Sequence, residues 1–523
     1  MWGKDFRDEA WKRLSDPWDL VVVGGGITGA GILSEATRAG FRTLLVEGND
    51  FASGTSSRST KLVHGGLRYL RQGQFLVTRK SVKERERMLD EGRGLVENLP
   101  FSLAAFPGDK MPRWMFGIGL SMYDALAWKW NHERLNEAEI LRTFPMLHDS
   151  GVLGGYRYHD AQTDDARLTL RVVREGVKRG GTALNYVRAI DLLRDASGRV
   201  RGVVLRDQAG AHKGRTAEVS AKAVINATGA WADDLRGKIG ERKRLRKIRG
   251  SHLVFAHSKI PVSEAVSFMH PRDQRGVFAV PWEGVTLVGT TDVDHGEDLE
   301  TEPRISESEA EYILEGARKV FPTLNLTESD VACTYAGVRP VIDTGHTDPS
   351  KESREHAVWQ ENGLYTITGG KLTTWALMAR EALEAAREDL GPLPDRARMF
   401  EESPAETALP SGLSEQTKRR LVGRLGEDAL TVADSPHDRE TIGEGVSVYG
   451  ELRKAARDEG CMNLSDLLLR RVRVGLTLPE GGLREIQKIR EVAQPELGWS
   501  DAEWDREEAA YRTTWNAAYA PPK

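Results

Sequence analysis

The chain has 523 residues, 39% of them hydrophobic, which is enough for two or three domains with sizeable cores. A formal net charge of −4 disfavours a dedicated nucleic-acid binder, so we expect no nucleic-acid partner. Cys333 and Cys461 are far apart and match no metal spacing, which favours a reducing cytoplasm and predicts no metal site. The first residues lack the apolar stretch of a signal peptide. The sequence contains no run of about 18 apolar residues, so we expect no membrane-spanning helix.

The chain begins with an amphipathic pattern over residues 1–16, which predicts a short helix that ends at Pro17. A buried strand over residues 20–23 then runs into Gly24-Gly25-Gly26-Ile27-Thr28-Gly29. A helix follows, and a second strand over residues 43–46 ends at Glu47. This order of strand, glycine turn, helix and strand predicts a dinucleotide-binding unit of the Rossmann type.

The glycines of this turn each have a physical role in such a unit. Gly24 lets the chain turn sharply, Gly26 lets the backbone approach a pyrophosphate, and Gly29 lets the helix pack on the strand. The free N–H groups at the helix N-terminus favour phosphate. Glu47 is placed to accept hydrogen bonds from a ribose diol. This pattern alone does not distinguish NAD from FAD.

The remaining elements are predicted from periodicity and turn residues. Helices are predicted over residues 80–97 and 165–179, and strands over residues 182–194, 199–207, 223–227, 277–290, 331–338 and 365–368. The last strand runs into Gly369-Gly370-Lys371 and a helix from about Leu372. After residue 394 the pattern is almost wholly helical and charged.

Strand signals that return late in the chain indicate a discontinuous nucleotide domain, an arrangement that suits a flavoprotein in which several separated segments grip FAD. The predicted fold class is α/β, with a Rossmann-type FAD-binding domain, an inserted strand-rich substrate domain and a C-terminal helical domain. The predicted boundaries are 1–17 for an N-terminal extension, 18–70, 152–235 and 335–392 for the FAD-binding domain, 71–151 and 236–334 for the substrate (cap) domain, and 393–523 for the helical domain.

One apolar and aromatic segment, residues 111–123, is too short to span a bilayer. Lys110, Arg113 and Lys129 flank it, and Trp128 and Trp130 follow. One interpretation is an interfacial patch that delivers electrons to a membrane quinone. We favour a buried helix of the inserted domain, because short apolar stretches more often belong to a core.

Further short motifs follow the glycine fingerprint along the chain. They are Ser56-Ser57, Lys61-Leu62-Val63-His64-Gly65-Gly66-Leu67-Arg68-Tyr69-Leu70, Asp164-Asp165-Ala166-Arg167-Leu168, Asn226-Ala227-Thr228-Gly229-Ala230-Trp231, Gly250-Ser251-His252, Gly289-Thr290-Thr291-Asp292, Gly337-Val338-Arg339-Pro340 and Gly369-Gly370-Lys371-Leu372-Thr373-Thr374. In this order they resemble the FAD-dependent glycerol-3-phosphate dehydrogenase family of the aerobic, respiratory type. The resemblance is strong over about residues 18–385, and the helical remainder is similar to that family's C-terminal domain.

The resemblance implies FAD as cofactor and oxidation of sn-glycerol 3-phosphate to dihydroxyacetone phosphate, with hydride passing from C2 to flavin N5. It implies electrons passed to a membrane quinone by an enzyme held peripherally on the membrane surface, on the inner face of the cell membrane, and it leaves a homodimer open. The implied substrate-binding residues are Arg68, Tyr69, His252, Arg339 and Lys371. The implied cofactor-binding residues are Gly24, Gly26, Thr28, Gly29, Glu47, Thr55, Ser56, Ser57, Lys61, Leu62, His64, Ala227, Thr228, Gly229, Gly370, Lys371, Leu372 and Thr373.

The chemistry of such a substrate agrees with these residue types. A small dianion needs fixed cations, and Arg68, Arg339 and Lys371 lie beside Gly-rich or Pro-rich turns. The proton of the C2 hydroxyl needs an acceptor near neutral pH, which makes His64 and His252 the candidate bases. The predicted catalytic set is therefore His64, His252, Arg339 and Lys371, and the sequence does not rank their roles.

Three other functions stay open at this point. A glycerophosphate oxidase would pass the electrons to oxygen. An amino-acid oxidase of the same broad fold would hold a carboxylate and a neutral amine, and would need fewer clustered cations. A non-catalytic nucleotide sensor would keep the fold without the base and the phosphate-binding residues.

Overall fold

A computed structural model of the chain describes residues 2–3, 5–67, 75–110, 112–210, 212–349, 352 and 355–522. The strands are β1 Trp18–Val23, β2 Thr43–Val46, β3 Leu62–Val63, β4 Val96–Ala104, β5 Glu133–Leu135, β6 Gly155–Thr163, β7 Thr182–Leu184, β8 Val187–Arg194, β9 Val200–Asp207, β10 Thr216–Asn226, β11 Leu245–Ala256, β12 Ala265–Met269, β13 Gly276–Trp282, β14 Val285–Gly289, β15 Val293–Asp294, β16 Val331–Ile342, β17 His356–Glu361 and β18 Leu364–Gly369. The helices are α1 Phe6–Lys12, α2 Ile27–Arg38, α3 Phe75–Glu91, α4 Arg113–Ala127, α5 Glu137–Thr143, α6 Asp165–Lys178, α7 Ala232–Gly237, α8 Glu307–Val320, α9 Trp375–Ala385, α10 Arg387–Leu390, α11 Glu415–Leu425, α12 Tyr449–Asp458, α13 Leu464–Asp466, α14 Val474–Thr477, α15 Ile486–Leu497 and α16 Asp501–Ala518.

The first sheet has the order β17-β18-β10-β1-β2-β7. Its strands β18, β10, β1, β2 and β7 run parallel to one another, β17 is antiparallel to β18, and β8 and β9 form an antiparallel extension from β10. The apolar run of β1 is almost fully buried, as expected for the centre of a parallel sheet with both faces covered. Helices α2, α6 and α9 pack together on one face of this sheet, and residues of α1, β8 and β9 cover the other, in a Rossmann-type fold of the predicted class.

The second sheet has the order β15-β11-β14-β13-β12-β4-β6-β3, with β16 beside β11 and β5 beside β6. It is mostly antiparallel and carries the strand-rich part of the chain. Strands β3, β6 and β16 belong to it, although the predicted boundaries place β3, β6 and residues 335–342 of β16 with the FAD-binding domain. Pairing partners, and not neighbours in sequence, decide the sheet that each of these strands joins.

The C-terminal part of the chain contains the helices α11 to α16, as the charged helical pattern predicted. Its apolar residues, such as Leu467, Trp504 and Trp515, share one buried cluster with Trp282 and Tyr335 of the second sheet. The helical segment therefore covers one face of that sheet and is not an independent appendage.

Two predicted helices have different bounds in the structure. The N-terminal helix spans only Phe6–Lys12, within the predicted 1–16. The helix predicted over residues 80–97 is α3, which ends at Glu91, and the chain then enters β4 at Val96. Gly94 between them has φ +78°, a left-handed conformation that ends a helix readily.

The expectation that residues 111–123 form a buried helix is wrong. Phe116, Leu120 and Tyr123 of α4 are buried, but Trp114 and Ile118 on the same helix are 62% and 54% exposed. The sequence is apolar on both faces of α4, and the described residues cover only one of them. No helix within the described ranges is both long and apolar enough to cross a bilayer.

Candidate functional site

A cavity of about 680 Å³ lies where the two sheets meet. It begins at the carboxyl ends of β1, β2, β10 and β18, the edge at which parallel α/β sheets bind ligands. It continues to residues of the second sheet, among them Phe101, Tyr158 and Phe278. A dinucleotide and a small molecule could therefore share one continuous space.

The glycine turn forms the first end of this cavity. Gly24 has φ +114°, and a Cβ atom there would lie 2.5 Å from the carbonyl oxygen of Ala227. A Cβ atom on Gly29 would lie 1.8 Å from the carbonyl oxygen of Gly24. Only glycine fits either position, and the turn brings the N-terminus of α2 against the cavity, an arrangement that suits a phosphate.

Glu47 lies at the end of β2 and lines the cavity. Its Oε2 accepts a hydrogen bond from the Gly25 N–H at 2.6 Å, and its Oε1 accepts one from the Asn49 N–H at 2.8 Å. Burial raises the pKa of Glu47, and these two donors oppose the rise. The carboxylate is thus fixed in position for a ribose diol, and the residues at this end fit the adenosine half of FAD.

The loop of residues 48–61, which we call the cofactor loop, forms one wall of the cavity through residues 53–56 and 58–60. The Ser56 hydroxyl accepts a hydrogen bond from the Ile27 N–H, at the start of α2, at 2.9 Å. The Thr55 hydroxyl donates to the carbonyl oxygen of Val338 on β16 at 2.5 Å. The loop therefore connects the glycine turn to the second sheet.

Two of the candidate cations, Arg339 and Lys371, line the same cavity. Arg339 on β16 donates to the Thr290 hydroxyl and to the Thr291 carbonyl oxygen, both at 3.0 Å, and forms an ion pair with Asp292. Lys371 donates to the Ser81 hydroxyl at 2.6 Å. Burial lowers the pKa of Lys371 to about 7, although Asp160 opposes this. These cations are placed to meet an anionic substrate.

The two candidate bases have different positions. His64 lines the cavity, and its backbone exchanges two 3.1 Å hydrogen bonds with the Thr373 hydroxyl. His252 is fully buried, stacks on Tyr335 with ring centroids 4.6 Å apart, and has its Nε2 2.9 Å from the hydroxyl of Thr60. Burial, then Arg339 and Lys61, lower the pKa of His252 well below its usual value, so its ring is neutral. It reaches the cavity through Thr60.

The structure brings most of the predicted residues together. Those that line the cavity are Gly24, Gly26, Thr28, Glu47, Thr55, Ser56, Leu62, His64, Ala227, Thr228, Gly229, Arg339, Gly370, Lys371, Leu372 and Thr373. Gly29, Ser57, Lys61 and His252 lie behind this wall and do not line the cavity. Arg68 and Tyr69 fall outside the described residues.

Lys61 illustrates why a residue inside a cofactor motif need not face the cofactor. Its side chain is fully buried, and its Nζ donates to both carboxylate oxygens of Asp165 at 2.9 Å and to the Ser57 carbonyl oxygen at 2.6 Å. Burial and the neighbouring Arg473 lower the pKa of Lys61 to about 7. The side chain supports the cofactor loop from behind.

Sequence reasoning missed several residues of the site. Thr60 lies within the motif run from Ser56 to Leu70 but received no role, because its importance comes from a partner on a distant strand. Asp292 and Thr290 were inside a quoted motif, but they are 47 and 49 positions from Arg339, so nothing local showed that they contact it. Asp160, Tyr158 and Trp231 also line the cavity.

Comparisons with known proteins agree with this geometry. Residues 19–385 match the family described as FAD dependent oxidoreductase, and residues 367–504 match the C-terminal domain of alpha-glycerophosphate oxidase. An aerobic glycerol-3-phosphate dehydrogenase of Staphylococcus haemolyticus is 35% identical over 488 residues, 87% of each chain, and that of Staphylococcus aureus is 34% identical over 499 residues, 89% of this chain and 88% of the other.

Solved structures give the same result. Glycerol-3-phosphate dehydrogenase from Bacillus halodurans, complexed with FAD, superposes with a TM-score of 0.79 at 30% identity over 99% of this chain and 98% of the other. L-alpha-glycerophosphate oxidase from Mycoplasma pneumoniae, at 17% identity and a TM-score of 0.59 over 75% of this chain and all of the other, shares the fold. This chain therefore belongs to the FAD-dependent oxidoreductase family, and aerobic glycerol-3-phosphate dehydrogenases are its relatives along nearly its whole length.

Proposed function

We propose that the chain oxidises sn-glycerol 3-phosphate to dihydroxyacetone phosphate with FAD and passes the electrons to a membrane quinone. The observation that carries the proposal is one cavity that joins the nucleotide-binding turn at Gly24 to the cations Arg339 and Lys371. The dehydrogenase relatives over 87% or more of the chain support the same substrate. An amino-acid oxidase holds a carboxylate and a neutral amine, so it would need fewer cations than Arg339 and Lys371 supply.

The residues have separable roles in this proposal. FAD, when bound, supplies N5 as the acceptor of the hydride from C2 of the alcohol. Arg339 and Lys371 bind the phosphate, and the guanidinium also stabilises negative charge that develops on the C2 oxygen. Asp292 and Thr290 hold Arg339 in a fixed orientation, so the cation needs little rearrangement when the substrate arrives.

His252 is proposed as the general base, with Thr60 as its contact to the substrate. A base must be unprotonated, and burial keeps the imidazole neutral. The Thr60 hydroxyl can give its proton to His252 Nε2 while it takes the proton of the C2 hydroxyl. His64, which lines the cavity directly, is the second candidate, and Lys371 or a water held by Arg339 is the third.

An exposed apolar surface supports contact with a membrane. All of the exposed large apolar side chains that the structure describes, except Leu430, fall between residues 75 and 153. The apolar patch, as we define it, is centred on Trp114, Met115, Ile118, Met122 and Trp130. We propose that this patch rests on the cytoplasmic face of the cell membrane, where the quinone is dissolved.

The acceptor is tested by turnover assays on the purified holoenzyme. Glycerol 3-phosphate is supplied with a short-chain quinone in one assay and with oxygen alone in another, and peroxide is measured in both. The proposal expects fast quinone reduction and little peroxide. Fast oxygen consumption with one peroxide per product would identify a glycerophosphate oxidase instead. Absence of turnover with either acceptor, while flavin is bound, would favour the nucleotide sensor.

Glu47→Arg is expected to reduce FAD binding, because a fixed acceptor for the ribose diol becomes a bulky cation. Loss of hydrogen bonds to a charged group costs about 1.5–3 kcal/mol, or roughly 10- to 150-fold in affinity. The measurement is the flavin-to-protein ratio after purification. Glu300→Arg, on the same cavity wall but without the backbone contacts of Glu47, is the matched control. Full flavin occupancy in the Glu47 variant would show that Glu47 does not bind the ribose diol of FAD.

Replacing both Trp114 and Ile118 by Glu is expected to weaken binding to anionic vesicles at least about tenfold. Two apolar side chains that would enter the membrane are lost, and negative charge is added. Vesicle sedimentation measures the bound fraction. Leu430→Glu changes an exposed large apolar residue that lies outside residues 75–153, and this variant is expected to bind as wild type. Equal binding by all three proteins would show that another surface contacts the membrane.

A further inference from the structure

The C-terminal helical segment, residues 393–522, contacts the cofactor loop from the side opposite the cavity. Its π-helical turn Leu467–Arg471 and the residues just after it carry Arg470, Arg471 and Arg473, and all three side chains are buried. Buried arginines are costly unless they are paired. Their partners lie in or behind the cofactor loop, and not within the helical segment alone.

Asp50 is the first attachment point. Arg471 donates to its two carboxylate oxygens at 2.6 and 2.8 Å, and Arg470 donates a further hydrogen bond. Burial favours the protonated form of Asp50, but the attraction of Arg471 and Arg470 for the carboxylate is stronger. The pKa of Asp50 is therefore lowered to about 2. Asp50 follows Glu47 by three residues, so this pair fixes the start of the loop close to the ribose-binding position.

Arg473 makes the second attachment. Its Nη2 donates to the Ser57 carbonyl oxygen at 3.0 Å and lies 3.4 Å from Asp165 Oδ1. Asp165 in turn accepts hydrogen bonds from the Ser59 N–H at 2.9 Å and from its hydroxyl at 2.8 Å. Arg473 therefore holds the middle of the loop directly and through Asp165.

The two ends of the chain add further contacts. The hydroxyl of Tyr519 lies 3.4 Å from Arg58 Nη2, and both side chains bind Glu302. The Trp2 ring packs against Phe51 of the loop with centroids 5.6 Å apart, and its backbone N–H donates to the Asp458 carbonyl oxygen at 3.2 Å. The N-terminal extension and the C-terminal segment thus meet at the same loop.

We propose that the C-terminal segment is part of the FAD site, because Arg471 and Arg473 position the cofactor loop and thereby couple FAD binding to docking of the segment. Both are positioning residues that act through Asp50 and the Ser57 carbonyl. The coupling is reciprocal, so bound FAD stabilises the docked segment to the same extent that the docked segment tightens FAD. The inference rests on FAD binding and is independent of the substrate.

The test compares FAD release from the purified full-length holoenzymes of Arg471→Met and Arg473→Met. Release is followed after dilution as the gain of flavin fluorescence, at a temperature where far-ultraviolet circular dichroism matches wild type. We expect release about tenfold faster or more, since each variant loses charge-assisted hydrogen bonds. Arg473→Lys keeps the charge and one donor and is expected to restore part of the slow release.

Arg490→Gln is the matched control, because Arg490 forms ion pairs with Asp501 and Asp505 on the surface of the same segment. It should release FAD at the wild-type rate. Wild-type rates in folded Arg471→Met and Arg473→Met, or equal acceleration by Arg490→Gln, would overturn the proposal. No substrate is present, so either result leaves the proposed reaction untouched.

A measurement on the unmodified chain covers the case in which the methionine variants do not fold. Removal of FAD from the wild-type protein should raise amide hydrogen exchange in residues 467–473 as well as in the cofactor loop. Helix α8 Glu307–Val320, which lies outside both the C-terminal segment and the cofactor loop, serves as the internal reference. Exchange that rises only in the loop would contradict the coupling.

Discussion

His252→Asn is expected to slow reduction of the flavin by glycerol 3-phosphate by about 10²- to 10⁴-fold while FAD stays bound, because the neutral acceptor of the C2 hydroxyl proton is lost. Thr60→Val should share this loss, since it removes the hydroxyl that lies 2.9 Å from His252 Nε2. Thr60→Ser keeps that hydroxyl and should react nearly as wild type. Anaerobic stopped-flow absorbance measures all three rates.

The pH profile distinguishes the candidate bases. The pKa of His252 is lowered well below its usual value by burial, so the rate should rise with pH only in the acidic range and be flat near neutrality. Lys371 titrates with a pKa of about 7, lowered by burial, and loses its charge as pH rises. If it binds phosphate, kcat/KM falls above pH 7. A rate that rises through pH 7 and depends on Lys371 would make that amine the base.

His64→Asn is the comparison that completes this set. It also changes a histidine of the cavity wall, but it leaves the contact between Thr60 and His252 intact. We expect a smaller loss than in His252→Asn. If His64→Asn carries the whole loss and His252→Asn keeps the wild-type rate, the roles assigned to the two histidines must be exchanged.

Arg339→Gln is expected to lower kcat/KM for glycerol 3-phosphate by roughly 10²-fold, because a charge-assisted contact to the phosphate is worth about 1.5–3 kcal/mol and the same group stabilises the alkoxide. The loss should be much smaller with glycerol, which has no phosphate. Steady-state kinetics with both alcohols measures the difference.

Arg275→Gln is the matched control for that variant. Arg275 pairs with the same carboxylate, Asp292, at 2.7 Å, but its side chain does not line the cavity. It should retain most of the activity. Equal losses in the two variants would mean that Asp292 and its ion pairs matter for structure, and that Arg339 does not meet the phosphate.

The nucleotide-binding half could be predicted from the sequence because its rules are local. The Gly24 turn, the start of α2 and Glu47 lie within one βαβ unit, where a steric requirement selects each residue type. The fold class followed from the same unit together with the late return of strand signals. The family resemblance then identified FAD.

The remaining features depend on contacts between distant residues. Thr60 and His252 are 192 positions apart, and nothing local in either segment shows that their side chains meet. Lys61 belongs to a cofactor motif, yet a buried carboxylate 104 positions away turns its side chain from the cavity. The exposed face of α4 could not be predicted because both faces are apolar. None of the described elements packs against that face, so it stays exposed.

The most direct test of the proposed reaction is anaerobic mixing of the purified holoenzyme with glycerol 3-phosphate, glycerol and a set of amino acids, each followed at the flavin absorbance band. Glycerol 3-phosphate should bleach the band rapidly, glycerol should do so slowly, and the amino acids should leave it unchanged. Dihydroxyacetone phosphate should form in an amount equal to the reduced flavin. A band that glycerol 3-phosphate leaves intact, or that an amino acid bleaches faster, would contradict the proposed reaction.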